Sequence, residues 1–92
     1  MNLSEYRQKI DAIDDQLLEL LNKRAMIALK IAREKFDNRI RVLASTREQE
    51  IFNRLNKINR GPLREQHIHE IYSAIISASK NLQHLYQSFE DV

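Results

Sequence analysis

Counted in sevens, the first third of the chain places Ile10, Leu17 and Ile31 in one column and Ile13, Leu20 and Ile27 in the column beside it. That is the seam of a long amphipathic helix, and the remaining member of the first column is Arg24. From Ser4, which is placed to cap the helix, to Asn38 there is no glycine or proline, and good helix formers dominate. The pattern predicts about 35 continuous helical residues. It lapses between Asn38 and Ala44, after which Ser45-Thr46-Arg47-Glu48 spells a capping box ahead of Ile51, Phe52, Leu55 and Ile58, a short second helix. The single glycine and single proline are neighbours, Gly61 closing that helix and Pro62 suiting the first turn of a third. Ile68, Ile71, Tyr72, Ile75, Leu82, Leu85, Tyr86 and Phe89 then recur at helical spacing, so the third helix should run to about Ser88.

The expected fold is therefore all-α, with helices ordered long, short, long, in one domain over residues 1–92 with no second domain following. A helix of ~35 residues spans about 50 Å, whereas a compact chain of this size has a radius of gyration near ~12 Å. It cannot bury its seam against its own chain. The length implies an intertwined homodimer whose long helices form the core of a helical bundle.

Composition narrows the class. The chain is 42% hydrophobic and 30% charged, with a net charge of +2, which fits an ordered soluble protein. Basic and acidic residues alternate, and only Arg33, Lys35, Arg39, Arg41 and Arg47 make a local basic cluster, better sized for a metabolite than for a nucleic-acid duplex. There is no cysteine, hence no disulfide or thiolate metal site, and no apolar run long enough for a membrane span or signal segment. A cytoplasmic protein is expected.

The polar residues on apolar faces carry the chemistry. Burying the Arg24 guanidinium unpaired is costly, so it calls for an anion, either a ligand or a carboxylate of another helix. Lys35 lies eleven positions on, rotated only about 20°, and shares that face; alternatively it snorkels at the helix end and favours the dipole. Arg47 aligns with Ile51, Leu55 and Ile58 at a helix start, where the dipole adds to its charge. Glu48 aligns with Phe52 and Leu55 and either points inward or closes the capping box on Ser45. Ser79 interrupts the third helix's stripe, with Gln83 one turn on; taken singly, these read as a small residue at a helix crossing and a surface amide. Arg7, about 25 Å before Arg24 along the helix, reaches such a site only in a partner subunit. His67 and His69, two positions apart, face different sides and are expected in solvent with His84; no metal site is expected. No glycine-rich phosphate loop, cysteine or nucleophile elbow is present. The set binds and polarises a small acidic ligand without covalent machinery.

The set Arg7, Arg24, Lys35, Arg47, Glu48, Ser79 and Gln83 on such a frame resembles the all-helical chorismate mutase family. The resemblance spans about Leu3 to Tyr86 and is strongest in Tyr6-Arg7-Gln8-Lys9-Ile10-Asp11-Ala12-Ile13-Asp14, Leu20-Leu21-Asn22-Lys23-Arg24, Thr46-Arg47-Glu48 and Ile75-Ile76-Ser77-Ala78-Ser79. Asn59 to Gln83 is especially similar to the mutase domain preceding prephenate dehydratase in bifunctional bacterial enzymes. The resemblance implies a cofactor-free isomerase that converts chorismate to prephenate in phenylalanine and tyrosine biosynthesis. It further implies that Arg24 and a partner's Arg7 hold carboxylates, Arg47 adds to the positive field and Ser79 helps to hold the substrate. Lys35 and Gln83 would donate to the ether oxygen, and Glu48 would accept from the ring hydroxyl. Ala44 departs from relatives that carry an acidic residue there.

A pericyclic step asks only for a compressed conformer and stabilised negative charge on the departing oxygen, which agrees with the absence of a nucleophile. Two alternatives stand beside it. One is an isochorismate pyruvate lyase on the same scaffold; the other is a non-catalytic helical dimer, an interaction module or a nucleic-acid binder using Arg33, Arg39 and Arg41.

Overall fold

A computed structural model describes the backbone of residues 1–38 and 44–90, and the side chains of residues 1–35 and 46–85. Three helices make up the chain: α1 (Leu3–Asn38, 36 residues), α2 (Ala44–Ile58, 15 residues) and α3 (Glu65–Glu90, 26 residues). The all-α order long, short, long matches the reading of the periodicity. Arg39 and Arg41, and the side chains of Ala44, Ser45, Tyr86 and Phe89, lie outside the described residues.

The helix ends depart from the sequence reading in instructive ways. At the start of α1 the cap is Asn2, whose Oδ1 accepts from the Glu5 amide at 2.9 Å; Ser4 sits inside the first turn. Both are capping residue types, and whichever comes first with a free amide three positions ahead takes the role. Similarly, α2 starts at Ala44, so Ser45 falls within the helix instead of ahead of it. Pro62 precedes α3 by three residues. Asn59 organises the turn there, its Oδ1 accepting from the Gly61 amide at 3.0 Å and its Nδ2 donating to the Leu63 carbonyl at 2.7 Å. Gly61 has φ 77°, a left-handed conformation that a side chain would strain, and the Gly61–Pro62 peptide is cis. α3 is then opened by His67, whose Nδ1 accepts from the Arg64 amide at 3.0 Å.

The central element is α3, which packs on α1 and on α2, whereas α1 and α2 do not approach each other among the described residues. Ala28 and Ala32 are the buried positions of α1, small enough to admit α3, while Ile51 and Leu55 of α2 close on Ile68 and Ile76 with Phe52 and Tyr72 alongside. This is a small core. The α3 stripe expected through Ile71, Ile75, Leu82 and Leu85 is not a single buried face: Ile71 and Leu85 are exposed, and Ile75 and Leu82 border an open groove with Leu21, Ala25, Ala74 and Ala78.

Every residue from Met1 to Leu20 is exposed. The seam of α1 is bare along its length, from 47% for Ile31 and 49% for Leu17 to 60% for Leu20. The chain measures 54 × 28 × 15 Å with a radius of gyration of 16.6 Å, well beyond the ~12 Å of a compact chain this long. No helix among the described residues is long and apolar enough to cross a membrane.

Candidate active site

Because α1 and α2 both lean on α3 without meeting, a wedge of space opens between them. It forms a cleft of about 260 Å³ with apolar walls from Ile27, Ala28, Ile31, Ile51 and Ile76. The polar lining is Arg24 and Lys35 from α1, Arg47 and Glu48 from α2, and Ser79, Lys80 and Gln83 from α3. Six residues singled out in the sequence, scattered over sixty positions, thus converge on one cavity. Among the described lining residues four cations face one carboxylate, so the cleft attracts an anion.

The local hydrogen bonds hold these side chains in a usable posture. Arg24 Nη1 donates to Ser79 Oγ at 2.7 Å, so the guanidinium is partnered by a hydroxyl, and no carboxylate among the described residues forms an ion pair with it. That arrangement leaves further Arg24 N–H groups, and the Ser79 hydroxyl proton, to donate elsewhere. Gln83 Nε2 donates to the Ala28 carbonyl at 2.8 Å. Only the nitrogen end of the amide can donate to a carbonyl, so this bond fixes which end of Gln83 faces α1 and leaves its second N–H available. Lys35 occupies both positions open to it from sequence: it stands in the last turn of α1 and lines the cleft. Arg47 is more open, pairing with Glu50 one turn on at 3.5 Å.

Glu48 points into the cleft, where its carboxylate forms an ion pair with Lys80 of α3. Lys80 was missed in the sequence reading, which drew the α3 stripe through Ile75 and Leu82. The cleft-facing row is Ile76, Lys80 and Gln83, at spacings of four and three, with Ser79 at its edge. Arg7 lies on the exposed first third of α1 and is not part of the cleft within this chain.

Of the histidines expected in solvent, His69 is exposed and His67 half-buried, and each also makes a local contact. His67 caps α3 as described, and His69 stacks on Phe52 with ring centroids 4.8 Å apart and approaches Ser73 Oγ at 3.5 Å. Among the described residues no group of three or more His, Cys, Asp or Glu is gathered for a metal.

A cationic, apolar-walled cleft of this size between helices has the shape and charge that suit a small anionic molecule. Comparison with known proteins makes the class specific. The family model of chorismate mutase type II matches residues 6–84, and the chain belongs to that family. The bifunctional chorismate mutase/prephenate dehydratase of Aquifex aeolicus is 35% identical over 85 residues, covering 88% of this chain; the chain spans about a quarter (24%) of that relative's length. Among solved structures, chorismate mutase from Helicobacter pylori in complex with prephenate superposes with a TM-score of 0.85 at 34% identity, covering 94% of this chain and 93% of that one. Form II of chorismate mutase from Thermus thermophilus shares the fold at a TM-score of 0.85 and 24% identity, over 89% of this chain and 93% of that one.

Proposed function

We propose that this domain converts chorismate to prephenate by an intramolecular Claisen rearrangement, in a cytoplasmic homodimer with two composite sites. The observation that carries this reading is the convergence of Arg24, Lys35, Arg47, Glu48, Ser79 and Gln83 from three helices on one cleft. Family membership and the prephenate complex of the Helicobacter pylori relative support the choice of substrate.

In this reading the substrate dicarboxylate enters the cleft with one carboxylate on Arg24, steadied by Ser79, while Arg47 adds positive potential at the opposite wall. Arg7 of the partner subunit takes the other carboxylate. Lys35 and the spare N–H of Gln83 aim at the ether oxygen, where negative charge grows as the C–O bond breaks and the new C–C bond forms. Glu48 accepts a hydrogen bond from the ring hydroxyl. Nothing is transferred to or from the protein, so the rate gain comes from holding the reactive conformer and from donors already in place when the charge develops.

The bare seam supports the dimer. Ile10, Ile13, Leu17, Leu20, Ile27 and Ile31 are each about half exposed in one chain, and burying the remainder is worth roughly 1 kcal/mol apiece, which a second long helix laid along the first would recover.

The direct test is incubation of the purified protein with chorismate, with the product identified by NMR, because substrate and product are isomers of equal mass. Prephenate is the expected product. A folded protein that leaves chorismate untouched would refute the reading, and release of pyruvate from isochorismate in its place would select the lyase.

A further inference from the structure

The Lys80–Glu48 pair is not used by the mechanism above, although it crosses the cleft from α3 to α2. Its setting is unusual for a surface ion pair. Glu48 Oε1 is withdrawn from solvent and reached by no regular hydrogen bond, and the group that meets it is the Lys80 ammonium. The side chains are 30% exposed for Glu48 and 48% for Lys80, and both line the cleft. As a staple between α2 and α3 such a pair contributes little, since Ile51, Leu55, Ile68 and Ile76 already join those helices.

Its position suits a different task. A cleft built for a dianion contains one carboxylate among its described lining residues, and an uncompensated carboxylate there repels the ligand it is meant to hold. Resting on the function proposed above, we infer that Lys80 is a positioning residue for substrate binding: it neutralises Glu48 and fixes its carboxylate on the cleft wall. A dicarboxylate then enters without like-charge repulsion, and the free Glu48 oxygen is presented to a hydroxyl. Lys80 acts through Glu48 and not by touching substrate.

This assignment fixes the outcome of a double-mutant cycle. Without the ammonium, repulsion acts alike on bound substrate and transition state, so Lys80→Met should raise KM for chorismate about tenfold and change kcat much less. Lys80→Arg, which keeps the charge, should restore KM to within about threefold. In a Glu48→Gln background the ammonium still adds its own positive charge to the cleft but has no carboxylate to fix, so adding Lys80→Met should raise KM clearly less than in the wild-type background, by about threefold. The dissociation constant of prephenate, measured by calorimetry on the same five proteins, should follow KM. The thermal midpoint should stay within about 3 °C throughout. An equal KM increase in both backgrounds would overturn the inference by showing a direct substrate contact. A large fall in thermal midpoint with unchanged KM would overturn it by showing a structural staple. A wild-type protein that neither turns over chorismate nor binds prephenate would instead defeat the underlying functional reading, and the inference with it.

Discussion

Lys35 and Gln83 face the same cavity with different chemistry: one brings a full charge on a flexible stem, the other a neutral amide already oriented by the Ala28 carbonyl. If both donate to the oxygen that becomes negative, their effect belongs to the transition state. Replacement of either by alanine should cut kcat by roughly 10²–10³ with a smaller change in KM. In the proposed mechanism Arg24 would hold a carboxylate present in substrate and transition state alike, so Arg24→Ala should raise KM strongly as well, and steady-state kinetics on the three variants separates the two kinds of contribution. The amide does not titrate, so the share of the rate carried by Gln83 is independent of pH. Arg24 was legible in the sequence because it is polar where its heptad column demands an apolar side chain, whereas Lys35 and Gln83 stood out only by sharing a face with Arg24 or Ser79 and through the family resemblance. Lys80 was not legible by that signal. A lysine on an exposed-looking helix face is ordinary in sequence, and only the tilt of α3 against α2 brings it to Glu48.

Helices as units were plainer than their ends. Sixty residues without glycine or proline before Gly61 and Pro62, with the apolar periodicity lapsing once after Asn38, leave little choice of element order. Caps are harder, because several residue types compete and the winner depends on where the first helical carbonyl falls. Asn2 and Ser4 both carry a suitable oxygen, and it is Asn2 that satisfies the Glu5 amide. Asn2→Ala should therefore destabilise the protein by about 1 kcal/mol, whereas Ser4→Ala, inside the helix, should be neutral or slightly stabilising. Urea denaturation of both variants at one fixed protein concentration distinguishes them, the concentration being held because unfolding of an oligomer depends on it. His67 illustrates the same limit from the other side: imidazole is not a usual partner for an amide at a helix start, so nothing in the residue pattern marked it, yet its Nδ1 accepts from Arg64.

At the scale of the whole molecule the question is why one chain leaves its longest apolar surface bare. Of the described α1 side chains only Ala28 and Ala32 are buried, and the first twenty residues of the chain are exposed throughout, including Arg7. The cleft lacks any residue from that segment, although it is lined by cations from everywhere else. An antiparallel partner helix along the seam would cover the apolar residues and deliver Arg7 of the partner subunit to the cleft in one move, so stability and site completion would share a cause. Mixing variants tests this arrangement arithmetically. Arg7→Ala and Arg24→Ala homodimers each lack one arginine in both sites and should be nearly inactive. After unfolding and refolding an equal mixture, about half of the dimers are heterodimers. In each of those, one site combines the intact Arg24 of one chain with the intact Arg7 of the other, while the second site has lost both. Activity should then recover to about a quarter of the wild-type value. Recovery to that level requires that sites be shared across the dimer; a refolded mixture no more active than its parents would confine each site to a single chain and leave the bare seam without a catalytic role.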